Sequence, residues 1–270
     1  MSRWSISMNS EASCAIKCFE TLPEFCMRMK SIPSKLFYIG NTKLLQKPKI
    51  SIVGTRAPTA YTKSYTHLIA QKLSHAGVCI VSGGAMGVDA LAHRGAGVDN
   101  TIMVAGTGLD VRYPSINSTL IQEIETKGLV LSQFEAGQPS LKWNFPLRNA
   151  LIVALGDALV VTQADLKSGT MHSVAYAQAM GKKIYVLPHR LGESEGTNML
   201  LAKGLAEPLY DIDAFVALYG QRSPKNSDPF LVYCETQPLY HEAVAKFADK
   251  VFEYECLGKI VIQNGRIVRT

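Results

Sequence analysis

From residue 50 to residue 212, short unbroken apolar runs alternate with stretches whose apolar positions recur at helical spacing. "ISIVG" (50–54) precedes a helical stretch from about Thr59 to Ala76. "VCIVSGG" precedes a helix near 88–97, and "TIMVAG" (101–106) precedes "INSTLIQEIETKG" (116–128), where Ile116, Leu120, Ile121 and Ile124 share a face. "LVLSQ" is followed by a long loop, then by "FPLRNALIVALG", "DALVVTQ", "SGTMHSVAYAQAMGK" and "KIYVLP". Continuous β-branched runs bounded by turn residues are the mark of strands buried on both faces, and amphipathic stretches between them are crossover helices.

The pattern predicts an α/β fold: an extended Rossmann-like, doubly wound, mostly parallel sheet with right-handed crossovers. Past it, "YGQRSPKNSDPF" (219–230) is polar and carries two prolines, the composition of a linker. "QPLYHEAVAKFADKVFEYECLG" has helical spacing, with Val244, Phe247, Val251 and Tyr254 as its apolar face, and "GKIVIQNGRIVRT" reads as a hairpin turning on Asn264-Gly265. The expected organisation is a lead-in over 1–45, a core over 46–220, a linker over 221–229 and a small winged-helix-like module over 230–270.

Composition narrows the class. The chain has 270 residues, 47% of them apolar, so it can bury a sizeable core, and it has no apolar run long enough to span a membrane. The opening "MSRWSISMNS" lacks a signal peptide's apolar segment, and none of the six cysteines forms a CxxC pair, so reduced thiols in the cytoplasm are expected, with no metal or cofactor. The net charge of +6 is uneven: residues 1–49 hold eight Lys/Arg and three Asp/Glu, whereas residues 50–220 hold thirteen of each. A core neutral overall must grip a polyanion through a local pocket and backbone amides, not through a general basic surface. The helix 240–255 carries two Lys against four acidic residues, which suits a protein contact better than duplex DNA.

The chemistry concentrates at the carboxyl ends of the predicted strands, where such sheets bind ligands. Three glycine turns fall there: "VGTR" (53–56), "SGGAMG" (82–87) and "SGT" (168–170). Glycine lets backbone approach closely, and helix-start N–H groups take phosphate oxygens, so Gly83, Gly84 and Gly169 are candidate anion holders. Neither GxGxxG nor a Walker A motif is present, and Asp89 and His93, four apart, are spaced as a local hydrogen-bonded pair, not a catalytic dyad. The loop "QFEAGQPSLKWNFPLRN" (133–149) mixes Phe134, Trp143 and Phe145 with Lys142 and Arg148. Aromatics beside cations suit bases that stack and phosphates that pair, with Arg56 adding charge from the first turn.

The order of these motifs resembles the DNA-processing protein A (DprA/Smf) family. The family's VG[ST]R, SGGAxGID..AH..A, G.GLD..YP, FPxRNR, SG[ST] and G.N.L...GA segments stand here as "VGTR", "SGGAMGVDALAHRGA" (82–96), "GTGLDVRYPSIN" (106–117), "NFPLRNA" (144–150), "SGT" and "GTNMLLAKGLA" (196–206), with Ala150 in place of the arginine that closes FPxRNR. The resemblance implies a non-enzymatic homodimer that binds single-stranded DNA during natural transformation, protects it and helps load the RecA recombinase. It assigns DNA contacts to Arg56, Ser82, Gly83, Gly84, Lys142, Asn144, Phe145, Arg148, Asn149, Ser168, Gly169 and Thr170. The alternatives are a nucleotide-sensing module and a hydrolase of nucleoside 5′-monophosphates. The hydrolase's glycine-rich motif ends in a catalytic Glu, and Ser173 occupies that place here.

Overall fold

The computed structural model describes residues 15–220, 229–234 and 236–269. Cys14 and residues 221–228 of the expected linker lie outside the described residues. The chain divides into two compact units, Met1–Gln221 and Arg222–Thr270.

In the larger unit the strands are β1 (Lys17–Cys18), β2 (Phe37–Gly40), β3 (Lys49–Val53), β4 (Cys79–Ser82), β5 (Thr101–Val104), β6 (Leu129–Ser132), β7 (Ala158–Val161), β8 (Ile184–Val186) and β9 (Glu207–Pro208). They form one sheet in the order β1-β2-β6-β5-β4-β3-β7-β8-β9. The pairs from β6 through β9 are parallel, and only β1–β2 and β2–β6 are antiparallel. The helices are α1 (Ala60–His75), α2 (Val88–Ala96), α3 (Ser118–Lys127), α4 (Asn144–Leu155), α5 (Thr170–Ala179), α6 (Glu195–Ala202) and α7 (Ile212–Tyr219).

Strand alternation builds both faces. Ile50 and Ile52 of β3 pack with Ile69 and Leu73 of α1 and Val88 and Ala92 of α2. Val53 and Val81 turn to the other face, against Leu151 and Leu155 of α4 and Val174 of α5. Ser51, buried on the way, donates its hydroxyl to the Ile152 carbonyl at 2.7 Å. The start of α1 is fixed by Thr59, whose hydroxyl accepts from the Thr62 N–H at 3.2 Å, a cap that stabilises a helix by about 1 kcal/mol.

Two expectations change. The stretch before residue 46 is more than a lead-in: β2 extends the sheet against β6, while Cys26, Met29, Leu36 and Leu44 enter the core. The loop after β6 is also shorter than the sequence suggests, because α4 already begins at Asn144. Pro146 hid that start, yet a proline in the first turn removes only an N–H that has no partner inside the helix.

The smaller unit holds α8 (Pro229–Cys234), α9 (Tyr240–Cys256) and the hairpin of β10 (Ile260–Gln263) and β11 (Arg266–Arg269). Asn264 and Gly265 both take positive φ, 51° and 73°, the two-residue turn expected from the sequence. Phe230, Ala243, Val251, Ile260 and Ile267 form its core, and Val244, Phe247 and Tyr254 pack on it. Among the described residues no helix is long and apolar enough to cross a membrane.

Candidate functional site

The strand order reverses around β3: the chain goes from β3 to β4 and β5 on one side and returns to place β7 on the other. The carboxyl ends of β4, β3 and β7 are therefore neighbours, and their three glycine turns come together. The turns are tied to one another. The Thr55 N–H donates to the Gln163 carbonyl at 2.9 Å, and the Val88 N–H donates to the Thr55 carbonyl at 3.1 Å. Gly87, at φ 78°, gives way to this crossing: a Cβ there would press on the Arg56 carbonyl oxygen at 2.6 Å.

Over these turns opens a cavity of about 460 Å³ lined by Arg56, Asp89, Phe145, Arg148, Asn149, Ser168, Gly169, Thr170 and Ser173, among others. An adjoining cleft shares Arg56, Phe145 and Arg148 and adds Gly83, Met86, Gly106 and Tyr113. The Phe145 ring is their common wall. The guanidinium carbons of Arg56 and Arg148 lie 5.9 and 5.8 Å from its centroid, and the Tyr113 ring lies 5.8 Å away.

Arg148 is buried, and its guanidinium is held in place: Nη1 donates to the Val104 carbonyl at 2.9 Å and Nε donates to Asn149 Oδ1 at 3.1 Å. Asp89, also buried, is its countercharge. Burial pushes the Asp89 carboxyl up, while Arg148 and the Ala85 N–H, which donates to Oδ2 at 3.3 Å, pull it back. Burial lowers the Arg148 guanidinium in turn, with Asp89 opposing that shift and Arg56 adding to it. A Cβ on Gly83 would meet this pair, colliding with the guanidinium and lying 2.6 Å from Asp89 Oδ2.

The expected Asp89–His93 pair does not form. His93 Nδ1 instead lies 2.6 Å from Thr101 Oγ1, which itself donates to the Ile80 carbonyl at 2.9 Å, so the ring keeps its proton on Nδ1. Burial, with Arg148 nearby, lowers the His93 pKa to about 3. The helical spacing was right, but each side chain found a partner on a different strand or turn.

Eight of the twelve residues singled out from the sequence line these two spaces: Arg56, Gly83, Phe145, Arg148, Asn149, Ser168, Gly169 and Thr170. Four do not. Ser82 is buried and donates to the Ile52 carbonyl at 2.6 Å. Gly84, at φ 74°, backs onto Met103. Asn144 is buried, and its Nδ2 donates to the Gly106 and Pro139 carbonyls, fastening the start of α4 to the end of β5. Lys142 is exposed on the loop before α4, and Ala150 is buried outside both linings. Tyr113, Asp89 and Ser173 belong to the site without having been assigned to it. Tyr113 lay within a quoted motif, and its aromatic type was the one available signal. Among the described residues no group of three His, Cys, Asp or Glu side chains converges as metal ligands would.

Comparison with known proteins gives a consistent picture. The model of the family described as DNA recombination-mediator protein A matches residues 15–220. The DNA processing protein DprA of Streptococcus pneumoniae is 38% identical over 176 residues, which are 64% of this chain and 62% of that protein. Protein Smf of Synechocystis is 35% identical over 206 residues, 73% of this chain and 52% of the relative. The chain thus spans little more than half the length of these relatives. Among solved structures, DNA processing protein A from Helicobacter pylori, described for its single-stranded DNA binding mode, superposes with a TM-score of 0.73 at 44% identity, covering 75% of this chain and 94% of that one.

Proposed function

The chain belongs to the DNA recombination-mediator protein A family, and from that premise we propose that it binds single-stranded DNA at the cavity over the three glycine turns. One observation carries the reading: two guanidinium groups lie against the half-buried Phe145 ring in a cavity that the start of α5 also lines. A flexible strand presents phosphates for the arginines and helix-start amides, and an unpaired base for the ring. Phosphate and stacking contacts carry no base code, so binding is independent of sequence. Arg56, Phe145, Arg148, Asn149 and the Ser168–Thr170 turn make these contacts, and Lys142 meets the strand outside the cavity.

The role follows the family: a homodimer in the cytoplasm that shields entering single strands during natural transformation and helps load the RecA recombinase. No covalent step is involved. Ser173, where a nucleotide hydrolase would need a carboxylate, has a hydroxyl that cannot offset charge at an oxocarbenium-like centre. The small unit contacts protein rather than duplex DNA.

The test is a titration of the full chain at equal salt with a ~20-nucleotide single strand and its duplex, alongside an assay of base release from nucleoside monophosphates. Preference for the single strand by about tenfold or more, without base release, is expected. Base release would favour the hydrolase, and equal affinities would indicate a general basic surface instead of a pocket.

A further inference from the structure

One buried side chain lining the cavity carries a polar atom that the described fold leaves unpartnered. Ser173 is 1% exposed, and its hydroxyl oxygen has no hydrogen-bond partner among the described residues. Leaving a buried hydroxyl unpaired is unfavourable, and such groups are normally satisfied by protein, water or ligand. Ser173 lines the cavity from the first turns of α5.

The helix start supplies the neighbouring donors. The N–H groups of Met171 and His172 donate to the Ser168 and Gly169 carbonyls at 3.1 and 3.2 Å. Those of Gly169 and Thr170 have no carbonyl partner among the described residues, as the first amides of a helix do not. The space beside Gly169 is open, since a Cβ there would meet nothing within 4 Å. The charged lining is two arginines, Arg56 and Arg148, against one carboxylate, Asp89.

We infer that this corner seats a phosphate monoester, the terminal phosphate of a nucleotide, between the Gly169–Thr170 amides, the Ser173 hydroxyl and the two arginines, with the nucleotide's base toward Phe145. The inference rests on the single-strand reading and adds to it a preference for phosphorylated ends. A monoester offers three terminal oxygens on one arm and up to two negative charges. A backbone diester offers two oxygens and one charge, and must carry chain away on both sides. A recessed corner with three donors and an excess of positive charge suits the first. The same chemistry comes from two sources, a free nucleoside monophosphate and the phosphorylated end of a strand.

The experiment uses the full chain and ~20-nucleotide strands of one sequence ending in 5′-hydroxyl, 5′-phosphate or 3′-phosphate, with thymidine monophosphate and thymidine as competitors. A terminal phosphate at one end should raise affinity about tenfold over the hydroxyl-ended strand. Thymidine monophosphate should displace that strand where thymidine does not, and Ser173→Ala should shrink the gain at least threefold, to below about threefold. Monophosphate binding without a gain at strand ends would support the seat and identify the free nucleotide as its source. Equal affinity for all strands, with no monophosphate competition, would overturn the inference while leaving the single-strand reading intact. Failure of every strand to bind would overturn that reading instead. The strand and competitor arms need no variant, so they decide the matter even if Ser173→Ala folds poorly.

Discussion

The guanidinium of Arg56 stands over the ring of Phe145, its central carbon 5.9 Å from the ring centroid. Arg56 follows β3 and is exposed, while Phe145 sits in the first turn of α4 and is half-buried. The fold thus brings a solvent-facing cation to an aromatic face at the sheet's switch point, where doubly wound sheets place their ligands. Arg148, on the same ring from the buried side, is fixed by a backbone carbonyl and by Asn149. One arginine is free to follow a strand, and the other is set in the wall.

Arg56→Ala should weaken single-strand binding and flatten its salt dependence by about one unit of logarithmic slope, because one phosphate contact disappears. Lys142→Ala should do the same, with a smaller loss of affinity because Lys142 is outside the cavity lining. Both residues are exposed, so unfolding midpoints should stay near those of the parent. Titrations at three salt concentrations measure the slopes. A variant with unchanged affinity and slope removes its residue from the contact.

Phe145→Leu should cost about 1–3 kcal/mol of strand affinity if a base stacks on the ring. Gly106→Ala tests the same ring without deleting it, since the added Cβ would sit 3.0 Å from two of its carbons and crowd it. Reduced affinity in both variants is expected. Full affinity in Phe145→Leu would mean that the ring is only a wall.

Arg148→Met should be strongly destabilising, by about 3–5 kcal/mol, because it strands the buried Asp89 carboxyl without its countercharge. Adding Asp89→Asn should restore part of that stability, and denaturant unfolding of the two single variants and the double variant measures the coupling. Additive losses would show that the two groups do not act as a pair.

The His93 pKa is lowered by burial to about 3, from 6.5. Between those values the unfolded chain binds a proton that the folded chain does not. Stability therefore rises with pH across this window and falls as pH drops below about 6.5, by up to about 1.4 kcal/mol per unit. Asp89, raised by burial above its ordinary value of 3.8, acts in the opposite sense, its contribution being lost as pH rises through the raised pKa. Urea midpoints at pH 7.5, 6 and 5 should show the fall in the parent and a flatter profile in His93→Gln. Equal profiles would place the titration elsewhere.

Much of this arrangement was legible beforehand. Continuous apolar strands and glycine turns are local signals, and they located β3 to β8 and the edge where ligands collect. What was missed depends on contacts distant in sequence. Arg148 reads as an exposed loop cation, and only packing of α4 against β3, β4 and β5 buries it beside Asp89. The short run 37–40 carries little periodicity, and its place against β6 comes from pairing. Lys142 and Phe145 are three residues apart, yet the start of α4 between them leaves one on the loop and the other in the cavity.

The most direct test asks where a bound strand touches the protein. A single strand carrying photoreactive 5-iodouracil, irradiated on the full chain and mapped by peptide mass spectrometry, should cross-link at Phe145 or at Tyr113 beside it. Cross-links confined to residues 222–270, with none at the cavity, would contradict the account.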